Sequence, residues 1–190
     1  ANPLNDAVDI AAVAELAHKA GAQLIVDNVF ATSMLQSPFE LGADWVFYSG
    51  TKHMDGGGRV LAGAILGPQK DMEEIIDPYI RHTGPSLSPF NAWVVLKGLE
   101  SMPLRVAKQS ENAAIVADRI ADHKALRAIR YPGRKDHPHY DVHAKQMKSG
   151  GTMMAISLAG GQEAAFRFLN ALELVGISNN LGDAKSLACH

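Results

Sequence analysis

An acid, two hydroxyls and an amine stand at the ends of apolar runs in this 190-residue chain. Leu24-Ile25-Val26 ends in Asp27, and a second run, Trp45 to Tyr48, delivers Ser49-Gly50-Thr51-Lys52. A near-continuous apolar run bounded by polar residues reads as a buried parallel strand, and open α/β sheets bind ligands outside the carboxyl ends of such strands. Asp27, Ser49, Thr51 and Lys52 would then share one sheet edge. A third run, Leu61 to Leu66, follows the triplet Gly56-Gly57-Gly58.

That donor set meets the needs of pyridoxal phosphate, whose aldehyde requires an amine, whose ring nitrogen requires a carboxylate and whose phosphate requires donors. Lys52 can supply the Schiff base and Ser49 and Thr51 the phosphate donors. Asp27 can supply a carboxylate that keeps the ring nitrogen protonated and the ring an electron sink. A strand-end Asp also serves as a turn or cap residue.

Ser49-Gly50-Thr51-Lys52 equally matches a Ser-x-x-Lys acyl-transfer motif with Ser49 as nucleophile. His82-Thr83-Gly84 is near its Lys-Thr-Gly element and Ser110-Glu111-Asn112 is a Ser-x-Asn. Their order is reversed relative to serine acyl enzymes, and Ser49 ends a strand where the motif serine should open a helix. Gly56-Gly57-Gly58-Arg59 lacks the Walker spacing and reads as a flexible turn into the next strand. His53 reads as a loop side chain. His137, His139 and His143 form a His-x-His-x₃-His in a polar loop without cysteine, read as solvated histidines and not as a metal site.

The elements that must position these groups follow from periodicity. Asp9 can cap a helix from Ile10 to Ala20, with Ile10, Val13, Ala14, Leu16 and Ala17 on its apolar face and Gly21 closing it. Pro38 bars a continuous helix through the connection Thr32 to Phe39. A short helix is expected over Met72 to Tyr79, a Gly/Pro/Ser-rich loop over His82 to Pro89 and a helix over Phe90 to Gly98. After Met102-Pro103 a longer helix runs to about His123, with Val106, Ala113, Ile115, Val116 and Ile120 inward. There follow a strand at Leu126 to Tyr131, a loop at Pro132 to His143, a strand at Thr152 to Ala159, a helix at Gln162 to Leu174 and a strand at Gly176 to Asn179. The pattern is α/β followed by α+β.

A net charge of −2 and 47% hydrophobic content give no electrostatic case for a nucleic-acid or anionic-membrane partner. No apolar run approaches the ~20 residues that cross a bilayer, and no basic stretch followed by an apolar one marks a leader. The single cysteine, Cys189, excludes an internal disulfide and reads as an ordinary thiol in a reducing compartment. A cytoplasmic protein is expected.

Asp27-Asn28-Val29-Phe30, Gln36-Ser37-Pro38, Leu41-Gly42-Ala43-Asp44, Ser49-Gly50-Thr51-Lys52 and Ser88-Pro89-Phe90-Asn91-Ala92-Trp93 resemble the Cys/Met-metabolism family of fold-type I pyridoxal-phosphate enzymes. The resemblance covers essentially the whole chain. It implies part of the large domain, a mostly parallel sheet with flanking helices, in residues 1–105. Residues 106–190 would hold the linking helix and an incomplete, smaller α+β C-terminal domain.

The resemblance also implies that Lys52 carries the cofactor as a Schiff base and that Asn2 lies beside its ring. The His82–Pro89 loop would lie near the active-site entrance. At Asn180-Leu181-Gly182 many members carry Ser-Leu-Gly with the Ser near the substrate carboxylate, so Asn180 is a substrate-binding candidate. Asp55-Gly56-Gly57-Gly58-Arg59 resembles the O-succinylhomoserine sulfhydrylase branch more than the cystathionine synthases and lyases or methionine γ-lyase. The expected substrates are an amino-acid ester and sulfide, and the expected assembly a homotetramer. The family's cofactor-stacking Tyr and Gly-rich phosphate turn would precede Ala1, and its substrate-carboxylate Arg would follow His190. The chain thus reads as an internal segment, inactive by itself.

Overall fold

The computed structural model describes residues 3–190, and Asn2 lies outside them. Helix α1 (Ile10–Lys19) starts where Asp9 accepts the Ala12 N–H at 3.1 Å and ends before Gly21, whose φ of +72° suits glycine. Ile10 and Ala14 are buried, but Leu16 is 67% exposed. It lies about 120° round the helix from Ile10 at 100° per residue, off the inward stripe.

Strand β1 (Ile25–Asp27) leads into α2 (Thr32–Leu35) and a 3₁₀ turn at Pro38–Leu41, so Pro38 divides the connection as its missing N–H requires. Strand β2 (Trp45–Ser49) runs parallel to β1 with Asp27 opposite Phe47. Strand β3 (Gly63–Leu66) returns antiparallel, Ser49 opposite Gly63. The carboxyl ends of β1 and β2 therefore lie at the same edge, and the lysine loop is the turn between β2 and β3.

Helices α3 (Gln69–Asp71) and α4 (Asp77–Thr83) flank a π turn at Met72–Ile76, longer than the single short helix expected. Then α5 runs unbroken from Pro89 to Ile120, capped by Ser88, whose Oγ accepts the Asn91 N–H at 3.2 Å. The expected interruption at Pro103 is absent. Proline removes one helical hydrogen bond, at roughly 3 kcal/mol, yet Met102 and Val106 on either side are buried against Leu35. The Gly98 carbonyl in the same turn receives both Arg105 Nη2 at 2.9 Å and Ser101 Oγ at 3.3 Å. The bond lost at Pro103 is the one to the Leu99 carbonyl, and packing at Met102 and Val106 outweighs it.

The inward stripe of α5 is Val94, Gly98, Met102, Val106, Ser110, Ala113 and Ala117, a succession of i+4 and i+3 steps. Ile115 and Val116, expected inward, are 43% and 46% exposed because they fall between those steps.

Beyond α5, β4 (Leu126–Arg130) pairs antiparallel with β5 (Ala155–Leu158). Between them lies α6 (Tyr140–Gln146), where a loop was expected as far as His143. Helix α7 (Gly161–Asn170) precedes a parallel pair, β6 (Gly176–Ile177) and β7 (Leu187–Ala188), of which β7 had no legible signal. Ala113 and Ala117 of α5 form a core with Ile129 and Tyr131. The Tyr131 hydroxyl bridges the Ser110 carbonyl at 3.2 Å and the Gly151 carbonyl at 3.1 Å.

Two of the three histidines of the 137–143 segment are not solvated, while His139 stays partly exposed. His137 and His143 are buried, with ring centroids 5.2 Å apart. His143 Nε2 meets the Asn5 carbonyl at 2.9 Å, and His139 Nδ1 accepts the Ala7 N–H at 3.0 Å. They fasten residues 4–7 to α6, and burial pushes the pKa of His137 and His143 down. No cluster among the described residues could hold a metal ion, and none of their helices is long and apolar enough to cross a membrane.

Candidate active site

The site begins at the exit of β1. Asp27 is exposed at the strand end and its Oδ1 accepts the Val29 N–H at 3.0 Å, a turn that directs the chain away from the sheet. Asn28 behind it is fully buried, donating from Nδ2 to the carbonyls of Thr32 at 3.0 Å and Gln36 at 3.1 Å. Gln36 Nε2 returns a bond to Asn28 Oδ1 at 2.8 Å. This closed amide pair holds Thr32 at φ +59°, a costly value for a β-branched residue. The local order at Asp27 is thus enforced by buried hydrogen bonds. Asp27 also lines a cavity of about 340 Å³ with Asn5, Phe30, Gly151, Thr152 and Met153.

At the end of β2 the chain enters a π turn, Gly50–Met54, inside which Lys52 departs from helical geometry with φ −91° and ψ −125°. Its Nζ donates to Asn180 Oδ1 at 2.6 Å. Thr51 Oγ1 accepts the Ala62 N–H at 3.1 Å, and its own proton has only the Ala62 carbonyl at 3.5 Å. The Ser49 hydroxyl makes no hydrogen bond among the described residues. Lys52 and Asn180 border a cleft of about 360 Å³ with Thr51, Arg59 and Leu61. The structure thus joins Lys52 directly to Asn180 and places Thr51 in the same cleft, while Ser49 lines a separate cavity of about 140 Å³ with His53 and Met102. Asp27 sits one strand away at the same edge, facing a different cavity.

Two expectations change here, and one residue that the sequence left unremarked joins the site. His53 is buried, its Nε2 2.9 Å from Thr152 Oγ1; burial first, and the positive charge of Arg105 second, lower its pKa to about 4. The ring is neutral at neutral pH. The glycine loop is not loose: Asp55, 1% exposed, accepts the Arg59 N–H at 2.6 Å and Arg59 Nε at 2.8 Å, closing the turn. Arg105, unremarked in the sequence, reaches the His53 carbonyl at 2.8 Å. The signals that could have found these residues are glycines. A Cβ on Gly98 would overlap the Met54 carbonyl oxygen, and one on Gly182 would overlap His53.

An amine held by a neutral amide oxygen, an unpaired hydroxyl and a carboxylate with one oxygen engaged form a donor set that fits pyridoxal phosphate. Comparison with known proteins agrees. The model of the family described as Cys/Met metabolism PLP-dependent enzyme matches residues 1–190. The chain is 50% identical over its whole length to an O-succinylhomoserine sulfhydrylase of Mycobacterium tuberculosis (strain ATCC 25618 / H37Rv), covering 48% of that protein. It is 40% identical to an L-methionine gamma-lyase of Pseudomonas putida, again over the whole chain and 48% of the relative. A solved cystathionine gamma synthase from Xanthomonas oryzae pv. oryzae superposes with a TM-score of 0.96 at 33% identity, over 100% of this chain and 49% of that one. The chain spans about half the length of the curated relatives it matches. Its α/β fold is part of the fold-type I architecture, and the chain belongs to the Cys/Met-metabolism family of pyridoxal-phosphate-dependent enzymes.

Proposed function

We propose that the protein containing this chain is an O-succinylhomoserine sulfhydrylase, which replaces the γ-succinyl ester with sulfide to give homocysteine. The observation that carries this reading is the 50% identity to a sulfhydrylase, against 40% to a γ-lyase. Bound pyridoxal phosphate supplies an electron sink for the negative charge left when the substrate's α-proton departs.

Lys52 would bind the cofactor aldehyde and, once free, carry protons at the substrate's α- and β-carbons. Asp27 would face the ring nitrogen, Ser49 and Thr51 would donate to the phosphate, and Asn2 would lie beside the ring. Asn180 would hold the amine of Lys52 or the substrate carboxylate, since its amide both accepts and donates. In the net exchange the γ-carbon–oxygen bond breaks with its electron pair leaving on succinate, and hydrosulfide supplies the pair for the new carbon–sulfur bond. We place the protein in the cytoplasm as a homotetramer.

A cystathionine γ-synthase or γ-lyase, or a methionine γ-lyase, is the second reading, favoured by the 40% identical relative. The full-length protein should be assayed with succinyl- and acetyl-homoserine, each against sulfide and cysteine. Homocysteine from the succinyl ester and sulfide is the expected product. Cystathionine as the main product, or ketoacid release without sulfur incorporation, would transfer the assignment to the second reading.

A further inference from the structure

The His53–Met54 peptide, one residue beyond Lys52, is gripped from the long helix. Arg105 donates through Nη2 to the His53 carbonyl at 2.8 Å and to the Gly98 carbonyl at 2.9 Å, while its Nε reaches Ser101 Oγ at 3.1 Å. The guanidinium thereby ties one turn of α5 to the backbone of the lysine loop. Two glycines make this possible. A Cβ on Gly56 would overlap the guanidinium itself, and φ there is +66°; Gly98 lets the helix approach the Met54 and Asp55 carbonyls.

We propose that Arg105 is a positioning residue for Lys52: through the His53 carbonyl it fixes the His53–Met54 peptide, one residue beyond the lysine, and so holds the turn that aims the amine at Asn180. The inference rests on the reading of Lys52 as the cofactor lysine. Arg105 does not touch the amine and acts through the backbone. The turn's own bonds, Asp55 N–H to the Gly50 carbonyl at 3.0 Å and Gly56 N–H to the Lys52 carbonyl at 2.8 Å, close around the lysine without setting the His53 carbonyl. Arginine suits the task because its planar fork serves carbonyls on two elements at once. A lysine ammonium is a point donor on a flexible stem and reproduces that geometry poorly.

The test compares the intact wild-type protein with Arg105→Lys and Arg105→Met, each freed of cofactor. Lysines are dimethylated briefly with formaldehyde and cyanoborohydride and quantified peptide by peptide. Loss of the fork should change the labelling rate of Lys52 by about threefold or more in Arg105→Met and by less in Arg105→Lys. Lys97 and Lys108, exposed on the same helix, serve as internal controls. On reloading, cofactor should leave Arg105→Met about tenfold faster than wild type.

An unchanged Lys52 rate beside a lowered melting temperature would overturn the proposal, leaving Arg105 a plain staple between helix and loop. Should Arg105→Met fail to fold, Arg105→Lys decides by the same criterion. Failure of the underlying reading shows separately, in wild type, as borohydride fixing the cofactor to a lysine other than Lys52.

Discussion

Lys52 Nζ and Asn180 Oδ1 lie 2.6 Å apart although their segments are distant in the chain. The lysine loop is therefore completed by the β6–β7 connection. Asn180→Ala removes the acceptor, and if the same amide meets the substrate carboxylate, KM for the amino-acid ester should rise about tenfold with a smaller change in kcat. Steady-state kinetics on the full-length protein checks this. An unchanged KM would confine Asn180 to holding the lysine.

Lys52→Ala should abolish the visible absorbance that pyridoxal phosphate acquires on linking to a protein amine. Ser49→Ala should leave that absorbance and weaken cofactor affinity by about tenfold, the size of a lost charge-assisted hydrogen bond. Equilibrium titration of cofactor into each variant separates the two. Under the acyl-transfer alternative the serine variant, with its cofactor absorbance intact, would be the dead one.

Asp27→Asn keeps the shape that receives the Val29 N–H and removes the charge. Cofactor should still bind, while exchange of the substrate α-proton with solvent deuterium slows by about a hundredfold or more. Exchange at the wild-type rate, followed by NMR, would reduce Asp27 to its turn.

Acid should destabilise the fold through its buried histidines. The folded pKa of His53 is about 4 against an ordinary 6.5, so between those values the unfolded chain binds the extra proton. Stability is fully present above about pH 6.5 and is lost as pH falls toward 4, by up to roughly 3 kcal/mol from this ring. His137 and His143, also lowered by burial, act in the same direction. Urea unfolding across this range should show falling midpoints, and His53→Gln should flatten the fall.

Arg59→Ala would strip Asp55 of its side-chain partner while leaving the backbone N–H of residue 59. Because Arg59 is half exposed but Asp55 is buried, a loss of about 1–3 kcal/mol is expected. Chemical denaturation measures it directly, and Arg59→Lys should recover only part because it cannot form the same fork.

What the sequence made legible was local. Apolar runs ending in Asp27 and Ser49 located two strand ends, and parallel pairing put them on one edge. A run's end reports where a strand stops; it carries no information about which distant side chain arrives there. The Arg105–His53 and Asn5–His143 contacts join segments far apart in sequence, so neither periodicity nor motif could reveal them. Pro103 misled for a related reason, since its local cost is real but is outweighed by tertiary packing at Met102 and Val106. Asn180 came from resemblance, and its approach to Lys52 is a fact of the fold.

The unbroken α5 sets an angular phase between two parts of the protein. Gly98 and Arg105 face the lysine loop, and Ala113 and Ala117 face β4. Each residue inserted between Arg105 and Ala113 would rotate everything downstream by about 100° and advance it by about 1.5 Å. A single insertion would carry Ala113 and Ala117 off Ile129 and Tyr131, whereas seven residues, about two full turns, nearly restore the facing. This helix should therefore accept substitutions on its exposed side while rejecting most changes of length, as a keyed shaft tolerates wear but not a shifted key.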